Sequence, residues 1–184
     1  MQARRPDGAS REYASSYLVT GGGSSQGEQI AVELRHALRG DAWHGPALLE
    51  ILADVSAEQA VQRPIATAHN IWELVLHITS WSNIALRRIN GGQPEPYDAE
   101  DWPEPGEISP EHWVGIVQAL AESHERLCEV VAGLTDDALA ANAPKSERSI
   151  AFMLHGVAQH DAYHGGQISL LKKLVTTHHR RIAI

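Results

Sequence analysis

The chain has one cysteine, Cys128, so no intramolecular disulfide can form and no multi-cysteine zinc site can be built. It also lacks a basic excess. Fifteen Lys and Arg stand against 23 Asp and Glu, a formal charge of −8. A nucleic-acid surface ordinarily carries positive charge, so no such partner is expected. No apolar run approaches the length of a signal-peptide core or a membrane span; the expectation is a soluble, cytoplasmic protein with no membrane partner. Nor does any stretch alternate with period two between Gly or Asn turns, so no sheet is expected. With 184 residues, 43% of them apolar, the chain is long enough for one domain with a substantial core.

Helical signals fill that space. Residues 1–27 are rich in Gly, Ser, Arg and Ala and end in Gly21-Gly-Gly-Ser-Ser-Gln-Gly27. They read as a flexible arm, native or appended, outside the folded unit. From Glu28, Ile30, Leu34 and Leu38 form an amphipathic segment that Gly40-Asp41 should end. A restart at Trp43–Pro46, with Pro46 suited to a first helical position, leads into Leu48, Leu49, Ile51, Leu52 and Val55. The two are expected to form one bundle helix bent near residues 40–45, followed by a helical turn at 56–60. Asn70 caps a second helix with Ile71, Leu74, Val75, Ile78, Trp81, Ala85 and Ile89 at helical spacing, stopped by Asn90-Gly91-Gly92.

Residues 93–108, with Pro94, Pro96, Pro103 and Pro105, form a loop too long to be a mere connector. Tyr97 and Trp102 would let it pack across the bundle as a lid; a plain surface loop is the alternative. Ser109-Pro110-Glu111 opens a third helix whose stripe runs Trp113, Ile116, Val117, Leu120, His124, Leu127, Val130 and Val131 and which Gly133 ends. His124 either lines a central cavity or bonds within the core, and Cys128 beside it reads as a small buried hydrophobe. Residues 136–145 connect to a last long helix from about 147 to 175. Residues 177–184, with His178 and His179, read as a frayed tail. The fold class expected is all-α, a four-helix bundle over residues 28–176 with a proline-rich loop between its second and third helices.

The candidate chemistry lies on the last helix. Its apolar seam runs Ile150, Met153, Val157, His160, His164, Ile168, Leu171, Val175, in steps of three and four. With 11 histidines in the chain, about 0.6 pairs spaced four apart arise by chance, so the spacing alone does not make a site. Position matters more, because both histidines stand where core leucines belong and buried polar groups need partners. A shared zinc- or nickel-like ion is one solution; ordinary core hydrogen bonds are the other. His77, on the inner side of the second helix, is a third candidate ligand or another satisfied core histidine. Three histidines would leave open coordination positions, as in catalytic rather than structural sites. Glu73, Tyr163 and Gln167 are candidate supporting groups, Glu73 as a carboxylate orienting His77. Gly156, one turn below His160, would leave room for a pocket.

The segment Leu154-His-Gly-Val-Ala-Gln-His160-Asp-Ala-Tyr-His164-Gly-Gly-Gln167-Ile168 resembles the last-helix motif of the DinB superfamily of metalloenzymes. Ile71-Trp-Glu-Leu-Val-Leu-His77-Ile-Thr-Ser-Trp81 is similar to its second-helix motif, and the resemblance covers roughly residues 30–175. It implies a four-helix bundle in which His77, His160 and His164 hold one divalent metal. It also implies several chemistries, since such proteins include thiol-dependent S-transferases using mycothiol or bacillithiol and a maleylpyruvate isomerase. The expected activity is therefore thiol S-transfer, with a low-molecular-weight thiol as second cofactor and a small-molecule substrate. Metal-dependent hydrolysis and a non-catalytic metal- or ligand-binding bundle remain alternatives. A homodimer is expected, as for many bundles of this size.

Overall fold

Capping groups mark the helix starts. In the computed structural model, residues 24–92 and 98–182 are described, except for the side chains of Asp98 and residues 177–182. The expected arm before Ser24, the loop residues Pro94, Pro96 and Tyr97, and the His178 and His179 side chains lie outside the described residues. Helix α1 spans Gln26–Arg39. Ser25 accepts from the Glu28 N–H at 3.2 Å, and the Glu28 carboxylate accepts from the Ser25 N–H at 2.8 Å. This reciprocal cap starts the helix two residues before the expected Glu28. Gly27 is no linker glycine: a Cβ there would stand 2.5 Å from the Val131 carbonyl oxygen, so its absence lets α1 press against the end of a neighbouring helix.

The expected single bent helix is two separate pieces. Gly40 and Asp41, both at positive φ, end α1, and α2 is only Leu48–Leu52. Pro46 lies ahead of α2 instead of at its first position, because the Glu50 carboxylate caps the Ala47 N–H at 2.7 Å. The short α3 (Ala57–Ala60) follows, then α4 (Ile71–Ile89), capped by Asn70 as the sequence suggests. The loop after it carries a four-residue helix, α5 (Asp98–Asp101). α6 (Pro110–Ala132) starts at Ser109, and α7 (Asp136–Ala140) occupies the following connector.

α8 runs Ile150–Ile182. It starts three residues later than expected because Asn142 and Ser149 pair as an isolated bridge, and Ser149 caps the Phe152 N–H at 3.2 Å. Its backbone stays helical seven residues beyond the expected end at 175.

The fold is an all-α four-helix bundle, without strands among the described residues. α1 and α4 each pack against both α6 and α8, so α1 stands diagonal to α4 and α6 diagonal to α8. Apolar burial divides into two clusters. One joins Trp72, Val75 and Ile78 of α4, Trp113 and Leu120 of α6, and Ile168 and Leu171 of α8. The other joins Ile30 and Leu34 of α1, Leu127 and Val131 of α6, and Leu154 and Val157 of α8. On α6 and α8 a polar slice lies between them: Ser123 and His124, then His160, Asp161 and His164. Emptying either cluster, for example by Leu120→Ala at a fully buried site, would cost about 2–5 kcal/mol.

Candidate metal centre

His77 projects from the middle of α4, and His160 and His164 from successive turns of α8. His77 and His164 are buried and His160 half-buried. The helical spacing stacks the α8 pair, with ring centroids 4.4 Å apart, and α4 brings His77 to 4.9 Å from each. One ring nitrogen of each lies within 4.8 Å of the others, and His77 Nε2 is 3.0 Å from His160 Nε2.

Two of the three rings have their tautomer fixed. His77 Nδ1 donates to the Asp101 carbonyl oxygen at 2.6 Å, and His164 Nδ1 donates to Gln167 Oε1 at 2.7 Å. Each keeps its Nε2 lone pair free, as metal ligation requires. Burial disfavours the charged imidazolium at both. For His164, burial, with His160 and His77 adding to it, outweighs the Gln167 hydrogen bond and brings the pKa down to about 4. His77 is lowered by burial and by His160 despite the Asp101 contact. Both are neutral at physiological pH.

The loop after α4 supplies what periodicity could not reveal. α5 is tied to α4: the Ser80 hydroxyl donates to the Glu100 carbonyl, Arg87 pairs with the Glu100 carboxylate at 2.7 Å, and Trp81 Nε1 donates to Asp101 Oδ1 at 2.8 Å. These contacts aim the Asp101 carbonyl at His77. Trp102 follows and lies flat between two imidazoles, 3.6 Å from the His69 centroid and 3.9 Å from that of His77. The described part of the loop thus packs over the histidines.

Glu73 is placed elsewhere. Its carboxylate accepts from Arg63, from His69 at 3.0 Å and from the Asn70 N–H at 3.1 Å. Burial works against its charge, but these donors outweigh it and lower its pKa. The carboxylate expected to orient His77 instead caps α4 and steadies His69 behind Trp102; the orienting oxygen is the Asp101 carbonyl. Gln167 does act on the site, through His164. Tyr163 is largely exposed, its ring 5.0 Å from that of His164.

A cavity of about 510 Å³ opens onto the three histidines between Trp81, Ala85, Met153, Gly156 and Val157. A Cβ at Gly156 would meet nothing within 4 Å. Trp102, Tyr163 and His164 separate this cavity from a second of about 400 Å³ bordered by Ile65, Leu74 and Leu170. Behind His160, on the side away from His77, the fully buried Asp161 pairs with the fully buried His124 of α6. Asp161, absent from the sequence reading, was open to the same reasoning as the histidines, since it stands four after Val157 and three before His164, at core-facing helical spacing. Its signal was a short acid directly after a candidate ligand.

A three-histidine cluster opening onto a cavity in a four-helix bundle is an arrangement that could hold a metal ion. The family model of the DinB superfamily matches residues 42–168, most of the chain, and the protein belongs to that superfamily. No curated protein and no solved structure matches it. The donor set fits the divalent ion such a site implies: three imidazoles, two of them neutral, with protonated Nδ1 atoms and Nε2 lone pairs available.

Proposed function

We propose that this protein is a divalent-metal-dependent enzyme, zinc or nickel being the metals suited to imidazole, that transfers a small thiol to an apolar electrophile. The observation behind this reading is the convergence of three imidazoles beneath a cavity with apolar walls. His77, His160 and His164 would hold the divalent ion, whose positive charge would favour the thiolate form of a thiol at neutral pH. Trp81, Met153 and Val157 exclude water from the acceptor, Gly156 leaves it room, and Gln167 keeps His164 oriented. Tyr163, bordering both cavities, offers a phenol hydroxyl to the acceptor. The thiol loses its proton to solvent, its sulfur forms the new bond to carbon, and the leaving group departs with its electron pair.

Thiol transfer is favoured over hydrolysis by the lining of the cavity. Among the described residues there, the one carboxylate is Asp101, and its Oδ1 accepts from Trp81. With so few carboxylates at hand the more acidic nucleophile is favoured: a thiol, with an ordinary pKa of about 8.5, needs far less help to ionise than water at about 15.7. The test measures bound metal before and after chelation, together with turnover of a low-molecular-weight thiol and a chloro-dinitrobenzene acceptor. Turnover should disappear on chelation, return with zinc or nickel, and be lost in His160→Ala. Ester cleavage without thiol would point to a hydrolase, and metal binding without turnover to a binding protein.

A further inference from the structure

A line of buried polar groups reaches from His160 across the bundle, and the reaction proposed above does not use it. His124 Nε2 lies 2.9 Å from Asp161 Oδ2, and Cys128 Sγ lies 3.6 Å from His124 Nδ1; all three residues are fully buried. Burial opposes charge on His124, but its hydrogen bonds to Asp161 and Cys128, with the Asp161 charge, lift its pKa to about 9. At neutral pH it is an imidazolium donating from both nitrogens. That satisfies one Asp161 oxygen. The other, Oδ1, is buried without a hydrogen-bond partner among the described residues, and so is His160 Nδ1, 3.8 Å away. Two orphan polar atoms in a core, this close but just outside hydrogen-bond reach, call for an explanation.

His160 is caught between two neighbours. With its proton on Nε2 it can donate to His77 Nε2, 3.0 Å away, whose own proton points from Nδ1 to the Asp101 carbonyl. Its Nδ1 lone pair then faces the Asp161 carboxylate. With the proton on Nδ1, that contact becomes attractive, but two Nε2 lone pairs confront each other at 3.0 Å. A neutral imidazole satisfies only one side. A cation between the Nε2 atoms removes the conflict.

We infer that Asp161, anchored across the bundle by His124, is the positioning residue that holds the His160 proton on Nδ1 and so turns the Nε2 lone pair toward the metal. The inference rests on the three histidines binding a divalent ion. Asp161 is no ligand itself, since its free oxygen faces the ring nitrogen that carries the proton. Cys128, fully buried, is no nucleophile here; it serves as the far acceptor that keeps His124 in register.

Zinc affinity of the wild type, Asp161→Asn and His124→Gln, measured by competition with a chromogenic chelator, tests this alongside thermal unfolding of each metal-free protein. Nitrogen–proton spectra of the zinc-loaded forms read the Nδ1–H of His160. The wild type should show that proton far downfield and slow to exchange. Asp161→Asn should weaken zinc by about 10–100-fold and shift or lose the His160 signal, leaving those of His77 and His164 in place. His124→Gln, which keeps the carboxylate but removes its charged anchor, should lose less. Should Asp161→Asn not fold, lower affinity in His124→Gln, with its metal-free helices intact by circular dichroism, supports the inference, and unchanged affinity overturns it. Equal zinc affinity in wild type and Asp161→Asn, or an unmoved His160 signal, sinks the positioning role alone. A wild type that binds no zinc removes this inference together with the metalloenzyme reading.

Discussion

His164 and His124 occupy the same polar slice of the bundle, yet the first is brought down to about 4 and the second lifted to about 9. Desolvation pushes both the same way, toward the neutral form. Their partners differ. His164 has a neutral amide acceptor and two other imidazoles, whose positive charge would repel its own. His124 has a carboxylate at 2.9 Å and a sulfur acceptor. Burial raises the stakes for both, and the neighbour decides the sign. One half of the slice keeps lone pairs ready for a cation, while the other half already holds its charges in balance.

The sharpest way to break this comparison is to remove one side of the balanced half. His124→Leu would leave Asp161 charged, buried and unpaired, and should cost about 3–5 kcal/mol in denaturant unfolding. Replacing both His124 and Asp161 by leucine should recover most of that loss, because a paired buried charge adds little over a well-packed apolar pair. In the neutral half the damage should fall on the ion instead. His164→Ala should weaken zinc by more than about 100-fold, beyond the loss of a supporting hydrogen bond, while titration calorimetry and circular dichroism show the helices intact.

The two halves should also separate by pH in the metal-free protein. Folded His124 keeps a proton that the unfolded chain releases above its ordinary value of 6.5, so its contribution is full below 6.5 and is lost as pH rises through about 9. Folded His164 refuses a proton that the unfolded chain accepts, so its contribution is present above 6.5 and is lost as pH falls through about 4. Each limb should amount to roughly 1–3 kcal/mol. Denaturation midpoints across pH 4 to 10 should peak between the limbs, with His124→Gln flattening the alkaline side and His164→Ala the acid side. The smallest effect concerns the cavity wall. Gly156→Ala and Gly166→Ala both place a methyl in open space on α8 and should stabilise by about 0.5–1 kcal/mol. The larger Gly156→Leu should block turnover, whereas Gly166→Leu should not.

The helices and the three histidines were legible in the sequence because both obey the helical period. His77, His160 and His164 stand on apolar stripes, and Asn70, Ser109 and Gly133 announce helix ends by local chemistry. What stayed hidden is the set of contacts made at long range or off the stripe. Asp101 reaches His77 through a backbone carbonyl, which no residue type advertises. The His124–Asp161 pair joins diagonal helices 37 positions apart in the chain. Glu73 shows the opposite error: a carboxylate one turn from His77 suggested a link, but the cap at Asn70 and the Arg63 side chain claimed it first. The start of α1 was missed because the Gly/Ser composition around Ser25 and Gly27 masked a capping box and a close helix contact.

Trp102, pressed flat between His69 and His77, gives the molecule a built-in optical gauge. Its indole touches the π-face of one candidate ligand ring, so any event that polarises or shifts that imidazole reaches a chromophore directly. The loop that roofs the cavity is thereby also its reporter, readable in emission with no added dye.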